Sequence, residues 1–414
     1  MTPLAIDERR LQRQIDELAA ISEAPAPVVT RVLFSEADLR GREFVRQLSR
    51  DLALEVREDA VGNLFARWLG TDAGLAPVAT GSHLDAIPNA GRYDGVVGVL
   101  GALEAFRALK AAGFRPKRAV ELIVFTAEEP TRFGIGCLGS RLLSGALWPT
   151  RAAALLDRDG QSLEAWRKQA GYAEKDLSTV RLAKNGYAAF VELHIEQGPL
   201  LEREKIPIGV VEKIAAPSTL RVDLTGVGGH AGALLMPERH DALLAGAEIA
   251  LAVEQAARHS GSADTVGTTG VFRIEPGAVN SVPFHAHLEI DLRDTQLTTR
   301  DAALAQVESA ANGVCARRGV GLKFERLNVD APAVCDARLV ETIIGVCGQL
   351  GLSVKKMISR AYHDTLFMAQ VCPTTMIFIP CRGGVSHRPD EYSSPEQIKN
   401  GVAVLARTLA ELAS

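Results

Sequence analysis

The residue types that could do chemistry crowd into four short segments. "GSHLDAIPNAGRYDG" (81–95) holds His83, Asp85 and Asp94, "FTAEE" ends in Glu128 and Glu129, "LHIEQG" holds His194 and Glu196, and "VSHRPDEYSS" holds His387. Imidazole nitrogen and carboxylate oxygen together suit zinc, manganese or cobalt. Two metals sharing a bridging carboxylate, roughly 3.5–4 Å apart, need about five protein ligands, and His83, Asp94, Glu129, His194 and His387 make up that number. Asp85, two residues after His83, is placed to accept the other ring N–H and fix the tautomer. If the strand runs through Glu128 and Glu129, the two point to opposite faces. One is then a ligand, and the other is free to act as general base on an activated water. Taken singly, each residue has an ordinary reading: a hydrogen-bonded structural histidine, a solvated Glu-Glu pair, an Asp-Gly turn. Four polar clusters at strand ends along one chain are what point to a metal site. His240, His259, His285 and His287 fall on expected surface faces and are read as surface residues.

The elements that must position these residues are legible in outline. "APVATGSH" reads as a buried strand ending at His83, "AVELIVFTAEE" (119–129) and "AAFVELHIEQG" (188–198) as two more, and "TTMIFIP" (374–380) as the strand leading into His387. The run 95–113 reads as a helix. Apolar runs alternating with helices predict an α/β domain with a mostly parallel mixed sheet and helices on both faces. In such sheets, ligands bind beyond the carboxyl ends of the strands. The character changes near residue 212. "TLRVDLTGVGGHAG" (219–232) and "HAHLEIDLRD" (285–294) alternate with period two, which predicts a half-exposed antiparallel sheet, with helices at about 238–258 and 298–317. The expected organisation is a first domain over 1–211 and 328–414, with an α+β domain over 212–327 inserted into it.

Composition excludes several classes. The chain has 414 residues, 47% of them hydrophobic and 23% charged, with a net charge of −4, so nothing suggests nucleic acid or an anionic membrane as partner. No apolar run is long enough to span a bilayer. The opening "MTPLAIDERRLQRQIDELAAIS" reads as an amphipathic helix rather than a signal peptide. Six scattered cysteines without a CxxC pair are expected as reduced thiols in a cytoplasmic protein.

From about residue 60 onward the motifs become specific. "GSHLDAIPNAGRYDGVVGVLGALEA", "FTAEEPTRFGIGCLGSR", "HIEQGPLLE", "GGHAGALLMPERHDAL", "GAVNSVPFHAHLEIDLRD" and "VSHRPDEYSS" resemble, in order, the hydantoinase/carbamoylase branch of the two-metal aminoacylase-like amidohydrolases. The resemblance implies an aminopeptidase-like catalytic domain and an inserted dimerisation/lid domain. It also implies a hydrolase of non-peptide linear amide or ureido C–N bonds, working on two divalent metal ions per chain as a homodimer. Manganese is the implied metal, with zinc, cobalt or nickel as alternatives. His83, Asp94 and His194 would hold one ion, and Asp94, Glu129 and His387 the other. Glu128 would be the base and later the acid, and Asp85 would orient His83. Gln197 would line the pocket of a small substrate carrying a carboxylate, and His230 would stabilise the oxyanion. Asn280 and Arg293 would grip the carboxylate, for which the guanidinium fork is suited. By the same resemblance His230, Asn280 and Arg293 serve their own or the partner subunit's site.

Within the branch, "SRAYHDTLFMA" (359–369) places Arg360 and Tyr362 where carbamoylases and allantoate-acting relatives carry glycines, and resembles the ureidoglycolate amidohydrolases of purine catabolism. A tyrosine there would shrink the pocket and favour a small polar substrate. His363 is the next expected pocket residue. The expected reaction is hydrolysis of (S)-ureidoglycolate to glyoxylate, carbon dioxide and ammonia. The alternatives on the same machinery are an N-carbamoyl-L-amino acid hydrolase, an allantoate amidohydrolase and an N-acyl amino acid hydrolase. From another class, the alternative is a non-catalytic ligand-binding module.

Overall fold

A computed structural model describes residues 4–414. They fall into two compact units. The first runs up to Glu212 and resumes at Val334–Met357 and His363–Ser414; the second is Lys213–Ala333 with Ile358–Tyr362. The second unit thus extends past 327 and takes in a short return segment that patterning had placed in the first domain.

The first unit is built on a mixed sheet. Its middle is parallel, in the spatial order Thr374–Ile379, Ala189–Ile195, Val78–His83, Val120–Phe125. Antiparallel neighbours flank it: Leu64–Trp68 beside Val120–Phe125, and Ile208–Ile214 beside Thr374–Ile379. All four central strands are buried along their whole length, as parallel strands covered on both faces must be. The α/β expectation holds. The helix Val96–Ala111 is nearly all apolar and buried, because it packs on the sheet centre. Glycines permit that approach. A Cβ on Gly98 would lie 2.4 Å from the Leu193 carbonyl oxygen, and one on Gly101 would lie 3.0 Å from Leu193 Cδ2. The opening helix is Glu8–Ala19, and the first three residues of the stretch expected to form it lie outside the described residues.

The strand expected to run to Glu129 stops at Phe125. Ala127 takes φ 50, a left-handed conformation that ends the ladder. The two glutamates therefore sit on a loop rather than on opposite faces of a strand.

The second unit is a four-stranded antiparallel sheet in the order Val266–Glu275, His285–Asp294, Ala216–Thr225, Gly321–Val329. The helices Ala242–Arg258 and Leu297–Arg318 contribute to one core with Leu220, Val222, Leu224, Ala286, Leu288, Ile290 and Leu292. The period-two pattern thus set the buried face correctly.

Candidate metal centre

The carboxyl ends of the four parallel strands carry the site. Val78–His83 delivers His83, Ala189–Ile195 delivers His194, and Asp94 sits just before the Val96–Ala111 helix. Glu128 and Glu129 follow Val120–Phe125, and His387 follows Thr374–Ile379. Asp94 lies at the centre. Its Oδ1 is 3.4 Å from His83 Nε2 and 3.1 Å from His194 Nε2, and its Oδ2 is 3.3 Å from His387 Nε2. His387 Nε2 is in turn 3.2 Å from Glu129 Oε1. His83, Asp94 and His194 form one compact ligand group and Asp94, Glu129 and His387 a second.

This donor set fits divalent ions. Two donors each about 2.1 Å from a shared ion lie about 3.0–3.4 Å apart at octahedral or tetrahedral angles, which matches the contacts around Asp94. One Asp94 oxygen faces each group, as a bridging carboxylate requires.

The tautomers agree. His194 Nδ1 donates to the Ile195 carbonyl at 2.9 Å, which leaves Nε2 as the acceptor nitrogen, and Gly95 N–H approaches it at 3.2 Å. His83 Nδ1 is 3.0 Å from the main-chain oxygen of Asp85, and the Asp85 carboxylate is 3.8 Å away. This corrects the expected role of Asp85. Its carbonyl orients His83, and its carboxylate accepts the backbone N–H groups of Glu128 at 3.2 Å and Glu129 at 3.0 Å. The reason is the turn at Ala127, which aims those two N–H groups at a buried acceptor. Gly95, at φ 65, is held to glycine twice, since a Cβ there would sit 2.5 Å from His83 Nε2.

The electrostatics are those of a buried charge cluster. Burial opposes the charge on Asp94, but hydrogen bonding to three imidazoles outweighs it and holds the carboxyl well below its usual range. Hydrogen bonds to Asp94 and Glu129 push His387 up to about 11. Burial, reinforced by Glu129 and Asp364, lifts Glu128 well above an ordinary glutamate, against the pull of His83. Glu128 Oε2 lies 3.9 Å from His83 Nε2, outside both ligand groups.

Gln197 lies at the centre. At φ 56, directly after the strand end, it turns back so that Nε2 donates to Asp94 Oδ2 at 2.8 Å. His363 packs edge-on against His194, ring centroids 4.7 Å apart. Ser386 and Cys137 also lie near the centre, outside the motif-based expectations. Ser386 Oγ donates to Asp94 Oδ2 at 2.8 Å, and Cys137 Sγ lies 3.7 Å from Glu128 Oε1. Ser386 was detectable as the hydroxyl beside His387; for Cys137 nothing in spacing gave a signal.

His230, Asn280, Arg293 and Tyr362 belong to the second unit. His230 pairs with Ser281 in a two-residue ladder, and Ala231 N–H donates to the Asn280 carbonyl at 2.9 Å, so His230 and Asn280 are neighbours. Arg293 is held through Nε and Nη2 by Asp291, at 2.6 and 3.1 Å, and through Nη1 by the Arg360 carbonyl at 3.0 Å. The Tyr362 hydroxyl is hydrogen-bonded to Asp330, so its polar end has a partner within the second unit.

A carboxylate shared by two sets of imidazole and carboxylate donors, at the carboxyl edge of a parallel sheet, defines a candidate divalent-metal centre. The chain belongs to Peptidase family M20/M25/M40, whose model matches residues 79–411. It is 53% identical over 415 residues to a ureidoglycolate hydrolase of Oryza sativa subsp. japonica, covering 99% of this chain and 86% of that protein. It is 54% identical over 416 residues to a ureidoglycolate hydrolase of Arabidopsis thaliana, covering 99% and 87%. The crystal structure of AtUAH in complex with glyoxylate matches with a TM-score of 0.92 at 53% identity, covering 100% of this chain and 99% of that one. The resemblance read from the motifs is borne out.

Proposed function

We propose that this chain hydrolyses (S)-ureidoglycolate to glyoxylate, carbon dioxide and ammonia at a centre of two divalent ions, manganese in the first instance. His83, Asp94 and His194 would hold one ion, and Asp94, Glu129 and His387 the other. The observation that carries the reading is identity above one half, over 99% of the chain, to proteins named ureidoglycolate hydrolase. When bound, the ions supply Lewis-acid polarisation of the ureido carbonyl and acidify the attacking water.

The chain's own residues do the rest. Glu128, buried and outside the ligand groups, takes the proton of the attacking water and returns it to the leaving nitrogen. The Asp85 carboxylate fixes the loop on which Glu128 and Glu129 ride. His230 stabilises charge developing on the carbonyl oxygen, and Arg293 with Asn280 binds the substrate carboxylate. Gln197 and His363 line the inner side of the pocket, and Tyr362 limits its size. One water is consumed, and atom balance releases two ammonia for each glyoxylate and carbon dioxide.

All six cysteines are unpaired and buried, and among the described residues no helix is long and apolar enough to cross a membrane. The proposal of a cytoplasmic homodimer rests on the motif resemblance. The test is a panel of ureidoglycolate, allantoate, N-carbamoyl-L-amino acids and N-acyl amino acids, each assayed for ammonia release with Mn, Zn, Co and Ni in turn. Two ammonia per glyoxylate from ureidoglycolate is the expected result. Turnover of carbamoyl amino acids without any on ureidoglycolate would overturn the substrate.

A further inference from the structure

Glu391 is 4% exposed and lies four residues beyond His387. Its Oε1 accepts two backbone N–H groups, from Tyr93 at 2.9 Å and from Asp94 at 3.0 Å. Its Oε2 is 3.0 Å from Ser386 Oγ, which is itself 2.8 Å from Asp94 Oδ2. Gln197 Nε2 reaches both Asp94 Oδ2 and Ser386 Oγ, at 2.8 and 3.3 Å. The carboxylate at the centre is thus gripped at its main chain by Glu391 Oε1 and at its side chain by the Ser386 hydroxyl, whose single hydrogen goes to Asp94 Oδ2 while its oxygen sits against Glu391 Oε2. Both grips converge on Glu391. The fit is close on the far side as well, since a Cβ on Gly91 would lie 2.5 Å from Glu391 Cβ and 2.6 Å from Oε1.

We infer that Glu391, acting through Ser386, is the positioning residue for Asp94, setting the carboxylate plane so that one oxygen faces each ligand group. The inference rests on the reading of Asp94 as a shared metal ligand. Packing alone would require only that the space be filled. The hydrogen bonds specify something narrower: two main-chain N–H groups must find an acceptor at Oε1, and the Asp94 carboxylate must find the Ser386 hydroxyl. Glutamine can meet both demands. Its Oε1 accepts the two N–H groups, and its amide donates to Ser386 Oγ, leaving the serine hydrogen for Asp94. Alanine meets neither.

The test titrates the metal-stripped full chain with Mn²⁺ by calorimetry, with the melting temperature recorded for each variant. Glu391→Gln is expected to bind within about threefold of the wild type. Glu391→Ala and Ser386→Ala are expected to bind about 10–100-fold more weakly, the range typical of groups that orient ligands. Ser386→Ala removes a single oxygen and decides the matter should Glu391→Ala not fold. Wild-type Mn²⁺ affinity in a folded Ser386→Ala would overturn the inference. So would a folded Glu391→Gln that binds as weakly as Glu391→Ala. Asp94→Asn separates the two levels. If it binds Mn²⁺ like the wild type, the metal-centre reading itself is wrong; if it loses Mn²⁺ while Ser386→Ala does not, only the role of Glu391 and Ser386 falls.

Discussion

Replacing Asp85 with asparagine tests where this carboxylate acts. Its oxygens accept from Glu128 N and Glu129 N at 3.2 and 3.0 Å. Burial lifts its carboxyl to about 6, so at pH 8 it is mostly ionised and both bonds are charge-assisted. Asparagine keeps one acceptor and turns an NH₂ toward the second N–H. The change forfeits a hydrogen bond worth about 1.5–3 kcal/mol and strands a buried donor at a further cost of about 1–3 kcal/mol. Part of this total, about 2.5–6 kcal/mol, will appear as a lower melting temperature. The rest displaces the loop that carries Glu128, and about 3 kcal/mol felt in the transition state is roughly a hundredfold in rate. The His83 contact survives, because it is made by the main-chain oxygen of residue 85. Steady-state kinetics at pH 8 under saturating Mn²⁺ separate the routes. A kcat about a hundredfold below wild type is expected even with metal in excess. Recovery of full kcat at saturating Mn²⁺ would mean that Asp85 acts only through metal affinity, and the argument would fail.

Glu128→Gln should retain its metal, measured by elemental analysis, while kcat falls about 10²–10⁴-fold; retention of most activity would place the base elsewhere. Dialysis against a chelator should abolish turnover and lower the melting temperature, since ion at 100 times its Kd contributes about 2.7 kcal/mol to stability. Unchanged activity and melting temperature in demonstrably metal-free protein would remove the metal reading. Asp291→Asn loosens the bidentate hold on Arg293 and should raise KM for ureidoglycolate about tenfold with a smaller change in kcat; an unchanged KM would show that Arg293 does not bind the carboxylate. Gly98→Ala should lower the melting temperature even though alanine is the better helix former by about 1 kcal/mol, because its Cβ would meet the Leu193 carbonyl; a higher melting temperature would contradict that packing.

Much of the site was legible because strand ends bring distant residues together in a predictable place. Four buried runs each ended in polar residues, and the structure gathers His83, Asp94, Glu129, His194 and His387 at that edge. The missing detail lies where the backbone leaves regular paths. Periodicity carries no sign of the turn at Ala127, so the Glu128–Glu129 pair was read on a strand, and Asp85 was given a histidine to orient rather than a loop to hold. The period-two reading of 285–294 succeeded because an antiparallel strand with one buried face obeys a rule that needs no knowledge of its partners. It could not reveal that Asp291 and Arg293, two apart on one face, hold each other.

Ala127, Cys137, Gln197 and His387 all adopt positive φ without being glycine. Each such residue costs about 1 kcal/mol or more, a visible fraction of a net stability of about 5–15 kcal/mol. Glycine at these positions would relax the main chain, yet it would also delete an imidazole at 387 and an amide at 197. Selection for heat resistance and selection for turnover therefore pull in opposite directions at those two sites. A laboratory search that scores only thermal survival will tend to drift toward a tougher and less active protein there.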